Sequence, residues 1–491
     1  MKEFLMRIGD RWTGATSGEW IESEDPFQGA PWAKIPRGGA EDAEAAVLAA
    51  HEAFKGPWGK MSPADRGLLL HKLAELMHEN AEELAGYEVR DTGKLEAEML
   101  GNMRYLPRWY QYYGGLADKV EGAVTPIDKP GMLHYLKYEP LGVVTCIVPW
   151  NSPMLLTTMK LAAALAAGNT VVIKPSEFAS TSLMAFARLF EEAGFPSGVV
   201  NVVTGYGHEV GEVLTTHPLV KRIAFTGGEV GGRAIAEAAA RGFKRVSLEL
   251  GGKSPNIVFA DADQDVAVKG VISGVFAATG QTCMAGSRCL VERSIYDEFV
   301  QKLVDFMQGA RLGAPTDPLT NMGPVANRPH FERVLKSIEV AKSEGAKCVL
   351  GGGRPNSPET ANGLFVEPTI FTEVTNDMTI ARNEVFGPVL VVIPFETEEE
   401  AIEIANDTDF GLAAAFWTKD LQRIINLPSK IEAGTVWVNS YRVVSYLAPF
   451  GGVKASGIGR ENGLEAIKEY LEVKSVFING NPDVANPFVM G

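Results

Sequence analysis

Cysteine is scarce in this chain: four in 491 residues, Cys146, Cys283, Cys289 and Cys348, with no Cys-x-x-Cys pair. So few cannot build a disulfide framework, and a chain of this length buries well over half of its unfolded surface without such staples. Histidine is nearly as rare, seven in all, with no His-x-x-x-His pair and no clustering with cysteine. A zinc site therefore has no support, and no metal is expected. Positive charge is outnumbered, 46 Lys plus Arg against 61 Asp plus Glu, for a net charge of −15. An acidic balance of that size argues against a nucleic-acid-binding surface, although local dipoles and single lysines still permit an anionic cofactor. Long apolar runs are missing too. The richest helical stretch, Met154 to Gly168, is too short to span a bilayer and carries Lys160. In the opening MKEFLMRIGD, Glu3, Arg7 and Asp10 interrupt any run that a signal peptide would need. There is no internal repeat and no low-complexity tract. What is present is ordinary: 46% apolar and 22% charged residues, in a length that suits two or three domains. The expectation is a soluble, cytoplasmic enzyme.

The first 60 residues are mixed, with Trp, Pro and Gly scattered among them. Ser62-Pro63 then reads as a helix start, followed by Leu69, Leu73, Leu76 and Leu84 at helical spacing. A second helix is predicted from about Glu96 to Tyr113, stopping at Gly114-Gly115. From Leu141 the pattern changes to short apolar runs at 141–148, 170–174, 198–203, 222–225 and 245–250, with helices beginning near Pro153, Thr181, Glu209 and Gly231. Such alternation predicts right-handed βαβ units and a parallel sheet. It resumes at 256–260, 288–292, 389–395, 413–418 and 434–439, so two α/β domains in tandem fit better than one continuous sheet. The segment 119–140 and the run 473–479 read as strands outside both.

Several strand ends carry residues suited to chemistry. Two glycine-rich turns, GYGHEVG (205–211, with Gly207 and Gly211) and FTGGEVGGR (225–233), join a strand to a helix. The first is not the G-x-G-x-x-G fingerprint and alone reads as a tight turn. Two such turns on neighbouring strand ends raise the case for a phosphorylated ligand, because helix N-termini expose free N–H groups. KPSE (174–177) puts Lys174 and Glu177 where open α/β sheets bind ligands; a carboxylate there could accept from a ribose diol, and a plain solvated loop is the alternative. Cys283 lies in the small, polar loop GQTCMAGSR (280–288), unlike Cys146, Cys289 and Cys348, which sit in strand-like runs and read as buried hydrophobes. LELGGK (248–253) ends a strand with Glu249, whose burial would raise its pKa into the range of a general base. PWN (149–151) ends another with Asn151, whose amide could donate to an oxyanion.

With EVFGPV (384–389) and PFGGVKASGIGRENG (449–463), these motifs occur in an order and at spacings that resemble the NAD(P)-dependent aldehyde dehydrogenases over essentially the whole chain. The resemblance implies an α/β fold of two Rossmann-like parallel-sheet domains plus a small β bridging element. Residues 1–118 and 139–250 would bind NAD, 251–455 would form the catalytic domain, and 119–138 with 465–491 would pair across subunits in a homodimer or homotetramer.

By the same resemblance Cys283 is the nucleophile that adds to a small-molecule aldehyde and passes through a hemithioacetal to a thioester. Asn151 and the backbone N–H of Cys283 hold the oxyanion, and Glu249 activates the hydrolytic water. Glu384 and Phe386 position the nicotinamide ribose and ring. Lys174 and Glu177 hold the adenosine ribose, with Trp150, Gly207, Gly211, Phe225, Thr226, Gly227 and Leu250 around the cofactor. Gly228 departs from a serine common in relatives and removes one phosphate contact. The substrate tunnel would be lined by Ser152, Leu155, Leu156, Met159, Thr282, Met284, Arg442, Val444 and Phe450; Arg442 would either draw in a carboxylated aldehyde or be a solvated arginine or a structural ion pair. A glutamate at position 249 favours hydrolysis over a CoA-acylating relative. The presence of Cys283, Glu249 and Asn151 together disfavours a non-catalytic structural protein on this fold. NAD is expected in preference to NADP.

Overall fold

Five of the predicted runs form parallel strands side by side, in the spatial order Arg245–Glu249, Val220–Thr226, Val143–Ile147, Thr170–Lys174, Val200–Val202. Val144, Val171, Val172 and Ile223 are fully buried, as expected for β-branched strands covered by helices on both faces. The chain order reverses at Val143–Ile147, whose neighbours are the next strand on one side and the fourth on the other. In open α/β sheets a crevice opens at that switch point, beyond the carboxyl ends of the strands. Antiparallel strands extend this sheet to eight, Gly457–Ile458 at one edge and Met6–Ile8 with Arg11–Thr13 at the other. The structure is a computed structural model that describes residues 1–480 and 488.

A second sheet of seven strands runs Lys347–Leu350, Thr369–Thr372, Val389–Phe395, Arg288–Glu292, Pro255–Val258, Ala413–Trp417, Thr435–Val438. All its pairings are parallel except that of the first two strands. Outside both sheets, Met132–Pro140 pairs antiparallel with Leu471–Asn479 in an unbroken register from Met132↔Asn479 to Pro140↔Leu471. The fold class is therefore the expected one: two α/β sheets and a small β element.

Four local expectations need correction. The leucine series does not belong to one helix. Pro63–Glu79, capped by Ser62 accepting from the Asp65 N–H, ends at Asn80, and Leu84 lies on Ala81–Thr92. The second helix is likewise two, Glu96–Tyr105 and Pro107–Leu116, because proline cannot continue the hydrogen-bond ladder. Its second half runs through Gly114, which packs against Gly67 and Leu70, and ends only at Leu116. The segment 119–140 is strand only from Met132, with one isolated bridge, Val124 to Tyr135, before it. The mixed first 60 residues hold strands of two sheets and the helix Ala40–Lys55. Residues 481–487 and 489–491 of the expected bridging segment lie outside the described residues.

Candidate active site

The switch-point crevice is a cavity of about 290 Å³. Its walls come from strand ends of both sheets: Trp150 and Asn151 after Val143–Ile147, Thr226, Gly227 and Gly228 after Val220–Thr226, and Leu250 after Arg245–Glu249. From the second sheet's side come Cys283, Glu384 and Phe386. A second cavity of about 460 Å³ lies on the other side of the 225–231 turn and is lined by Lys174, Gly207, Gly211 and Phe225. Glu177 lines neither of these cavities; its carboxylate stands 4.0 Å from the Lys174 ammonium, beside the second one.

The turn between the cavities suits a phosphate-bearing group. The Thr226 hydroxyl is buried and has no hydrogen-bond partner. A Cβ on Gly228 would meet nothing within 4 Å, and the helix Glu229–Arg241 that follows has no side-chain cap on its free N–H groups. Gly228 thus leaves open space in the same turn as an orphaned hydroxyl, and the residues present fit a pyrophosphate.

Cys283 follows a strained segment. Ala278, Thr279 and Gly280 all have positive φ, of 53°, 56° and 73°, and only the last is glycine. A Cβ on Gly280 would lie 2.0 Å from the Gly387 carbonyl, so glycine is required where the cysteine loop meets the EVFGPV segment. The loop is pinned by the Gln281 side chain, which accepts from the Ala326 N–H at 2.9 Å, and by Thr279 donating to the Gly323 carbonyl at 3.0 Å. The Gln281 carbonyl in turn accepts from the Asn151 amide at 3.0 Å. One Asn151 proton is thus spent on orientation and the other remains for a ligand oxygen.

The site's electrostatics is dominated by buried acids. Burial, then Glu384 and Glu249, pushes the Cys283 thiol up to about 12, against which the N–H groups of Met284 and Cys283 work. Burial also lifts Glu384 to about 7, although it accepts from the Gly252 N–H at 2.9 Å. Glu249 is 4% exposed, and neither carboxylate oxygen has a partner. Its pKa is raised well above the ordinary carboxylate value by burial and by Glu461, with Lys160 and Arg460 opposing. Lys160 and Glu461 themselves form a buried ion pair.

Sequence reasoning missed several of these neighbours. A lysine inside the apolar helix Pro153–Ala166 was a signal for Lys160; nothing local marks Glu461, 301 residues away. It also missed His330 and Arg333, on the helix Arg328–Ser343. Arg333 lines the first cavity and donates to His330 Nδ1 at 2.7 Å, so His330 Nε2–H donates to the Phe386 carbonyl at 2.6 Å. Burial, with Arg333, lowers the His330 pKa to about 4, and the neutral ring holds Phe386 at φ 58° against Trp150.

Of the tunnel residues, Leu155, Leu156, Met159, Met284, Val444 and Phe450 belong to one apolar cluster with Cys283. Thr282 is buried beside it. Ser152 accepts from Lys94, and Arg442 pairs with Glu98 at 3.5 Å. Among the described residues no group of three or more His, Cys, Asp or Glu side chains is placed to hold a metal ion.

A family model described as the aldehyde dehydrogenase family matches residues 12–476. The chain belongs to the aldehyde dehydrogenase family. Over 493 residues it is 44% identical to (Z)-2-((N-methylformamido)methylene)-5-hydroxybutyrolactone dehydrogenase of Acinetobacter baylyi, covering 100% of both chains. It is 45% identical over 480 residues to betaine aldehyde dehydrogenase of Bacillus subtilis, covering 96% of this chain and 98% of that one. The solved structure of betaine aldehyde dehydrogenase from Staphylococcus aureus in complex with NAD+ superposes with a TM-score of 0.97 at 40% identity, covering 99% of this chain and 97% of that one. Family membership accounts for a cavity that joins a cysteine, the raised carboxylate Glu384 and a glycine-rich turn, with Glu249 buried next to it.

Proposed function

We propose that the protein oxidises an aldehyde to the carboxylic acid with NAD+, through a thioester on Cys283. The observation that carries this reading is the single cavity that gathers Cys283, Asn151, Glu384 and Phe386, with the unpartnered Glu249 buried next to it. Residues 1–118 and 139–250 would bind the cofactor and 251–455 the aldehyde. Lys174, Gly207, Gly211 and Phe225 would hold the adenosine half, Thr226 and the helix start at Glu229 the pyrophosphate, and Glu384, Phe386 and Arg333 the nicotinamide half. When bound, NAD+ supplies the acceptor for the aldehyde hydride.

The chain's own groups do the rest. Cys283 Sγ adds as the thiolate to the carbonyl carbon, its proton having left to solvent, so that Glu249 stays unprotonated for the second half of the reaction. The carbonyl oxygen becomes an oxyanion, held by the free Asn151 amide proton and the Cys283 N–H. Loss of hydride leaves an acyl thioester. Glu249 then takes a proton from water, the hydroxide attacks the acyl carbon, and thiolate leaves with a full octet. A basic carboxylate at this position supports water over CoA as the acyl acceptor. A 340 nm assay with NAD+ and acetaldehyde, butanal, glycolaldehyde, succinic semialdehyde and benzaldehyde, each with and without CoA, tests the reading. NADH formation independent of CoA is expected, and none with any aldehyde would overturn it.

NAD+ should be preferred over NADP+. Glu177 stands beside the second cavity, where a carboxylate accepts from a free 2′-hydroxyl but repels a 2′-phosphate. Two unit charges about 4 Å apart cost roughly 4 kcal/mol at an effective dielectric near 20. Lys174 relieves part of this, so kcat/KM should favour NAD+ by about tenfold to a thousandfold, or roughly 1.4–4 kcal/mol. The ratio should shrink in Glu177→Ser; a ratio unmoved by that substitution would remove Glu177 from cofactor choice.

Because Arg442 already pairs with Glu98, Arg442→Ala should change kcat/KM for butanal and succinic semialdehyde by the same factor. A selective loss with the carboxylated aldehyde would instead make Arg442 its recruiter.

No helix among the described residues is long and apolar enough to cross a membrane, and a cytoplasmic location fits the chain's free cysteines. A homodimer or homotetramer would use residues 119–138 and 465–491. The exposed Val473 and Phe477 on the ladder support that assignment.

A further inference from the structure

Lys94 is a buried cation that the proposed chemistry does not use. It lies just after Gly93, whose left-handed conformation (φ 69°) ends the helix Ala81–Thr92, and just before Glu96–Tyr105. The residue is 6% exposed, and burial lowers its pKa while Glu98 and Glu88 favour its charge. Its ammonium donates to the Ser152 hydroxyl at 2.7 Å. Ser152 donates in turn to the Asn151 carbonyl, also at 2.7 Å.

The position of Ser152 makes this relay unusual. Ser152 is the N-cap residue of the helix Pro153–Ala166, where a serine hydroxyl ordinarily accepts from the first free N–H groups. Here it makes no capping bond, and its φ and ψ of −160° and 64° turn it away. The Glu88 carboxylate accepts from the Met154 N–H at 3.2 Å instead. The hydroxyl is left to Lys94 and Asn151. A charged donor at the head of a hydrogen-bond chain strengthens the link behind it. The Asn151 peptide plane is thereby fixed from one end, while the Gln281 carbonyl fixes the side-chain amide at the other.

We propose that Lys94 is a positioning residue for the Asn151 amide, acting through the Ser152 hydroxyl. This rests on Asn151 being the oxyanion donor. It extends the machinery to a side chain that touches neither aldehyde nor cofactor. The oxyanion donor is needed from the first addition onward, before Glu249 acts in hydrolysis, so loss of Lys94 slows the first hydride-forming turnover. A displacement of about 1 Å in such a group can cost on the order of a hundredfold.

The test is a double-mutant cycle on the full-length protein. The first-turnover rate of NADH formation is measured by stopped flow at saturating NAD+, with the fastest aldehyde of the panel above, in wild type, Lys94→Met, Ser152→Ala and the double variant. Each single change should slow that turnover by about tenfold to a hundredfold, with NAD+ affinity, measured by fluorescence titration, within twofold of wild type. The double variant should be no slower than the slower single. Multiplying effects would overturn the relay, because a merely structural lysine costs the same with or without the hydroxyl. A first turnover unmoved in Lys94→Met, with only the melting temperature lowered, would overturn it as well. If Lys94→Met fails to fold, Ser152→Ala decides alone, and a wild-type first-turnover rate there sinks the proposal. A wild-type protein that makes no NADH from any aldehyde overturns both this and the functional reading, whereas an active wild type with multiplying effects overturns only the relay.

Discussion

Cys283→Ala is expected to abolish aldehyde oxidation while NAD+ still binds. Removing a nucleophile that works with a base and an oxyanion donor costs on the order of 10⁶-fold in kcat in the best-studied hydrolases. A loss of that order here would fall below the detection limit of an absorbance assay. The methyl group of alanine fills part of the space, and no hydrogen bond that pins the loop uses the thiol: those run through Gln281 and Thr279. Cofactor affinity, read by fluorescence titration, should therefore stay near wild type. The other cysteines form the control set. Cys146 and Cys289 are fully buried in strands and Cys348 is half-buried, so each alanine variant should stay active. The first two should lose about 1 kcal/mol of stability. Wild-type-like rates in Cys283→Ala, or inactivity in a well-folded Cys289→Ala, would remove the nucleophile assignment.

That Cys283 could be singled out in the sequence, and Lys160 with Glu461 could not, has a physical reason. Strand ends in an α/β sheet are marked locally by apolar runs that stop at polar or glycine-rich turns. Residues placed there, such as Asn151 and Glu249, are legible once the strands are. The parallel pairing followed from alternation, though the strand order did not, and Thr170–Lys174, Arg288–Glu292 and Val389–Phe395 match the predicted runs residue for residue. Pairings across long sequence separation leave no local mark. From the residues alone, apart from the resemblance, the ladder between Met132–Pro140 and Leu471–Asn479 was visible only as two strand-like segments, 119–140 and 473–479, with no sign of their register. The Lys160–Glu461 pair, the hold of His330 on Phe386 and the relay from Lys94 to Asn151 are set by tertiary contact alone. The helix errors have a different origin. Periodicity survives across Asn80 and Leu106, where a cap and a proline break the backbone without breaking the apolar stripe.

Glu249→Gln should separate the two halves of the reaction. Both Glu249 oxygens are buried without a partner, beside Glu461 and under the influence of the Lys160–Glu461 pair. A carboxylate so placed is a stronger base than one in water, because burial penalises its charged form. Glutamine is nearly isosteric and neutral, so the pocket should hold its shape while losing the base. It also removes a negative charge that opposes ionisation of Cys283, so the first turnover should be no slower than wild type. Hydrolysis should then limit the rate, slowed by about 10²–10⁴-fold, the usual contribution of a positioned general base. The expected record is a burst of up to one NADH per site, a slow steady state, and an acyl adduct on Cys283 by intact mass. The pH dependence gives a second reading with a definite sign. A base must be deprotonated to act, and Glu249 holds its proton to higher pH than an ordinary carboxylate. Wild-type deacylation should therefore fall as pH drops through that raised pKa, and the limb should be absent from the residual rate of Glu249→Gln. A variant with no burst and a wild-type steady state would show that another group activates the water. A pH limb that persists unchanged would assign the titration to a different residue, and Glu384, lifted to about 7, would be the first to substitute.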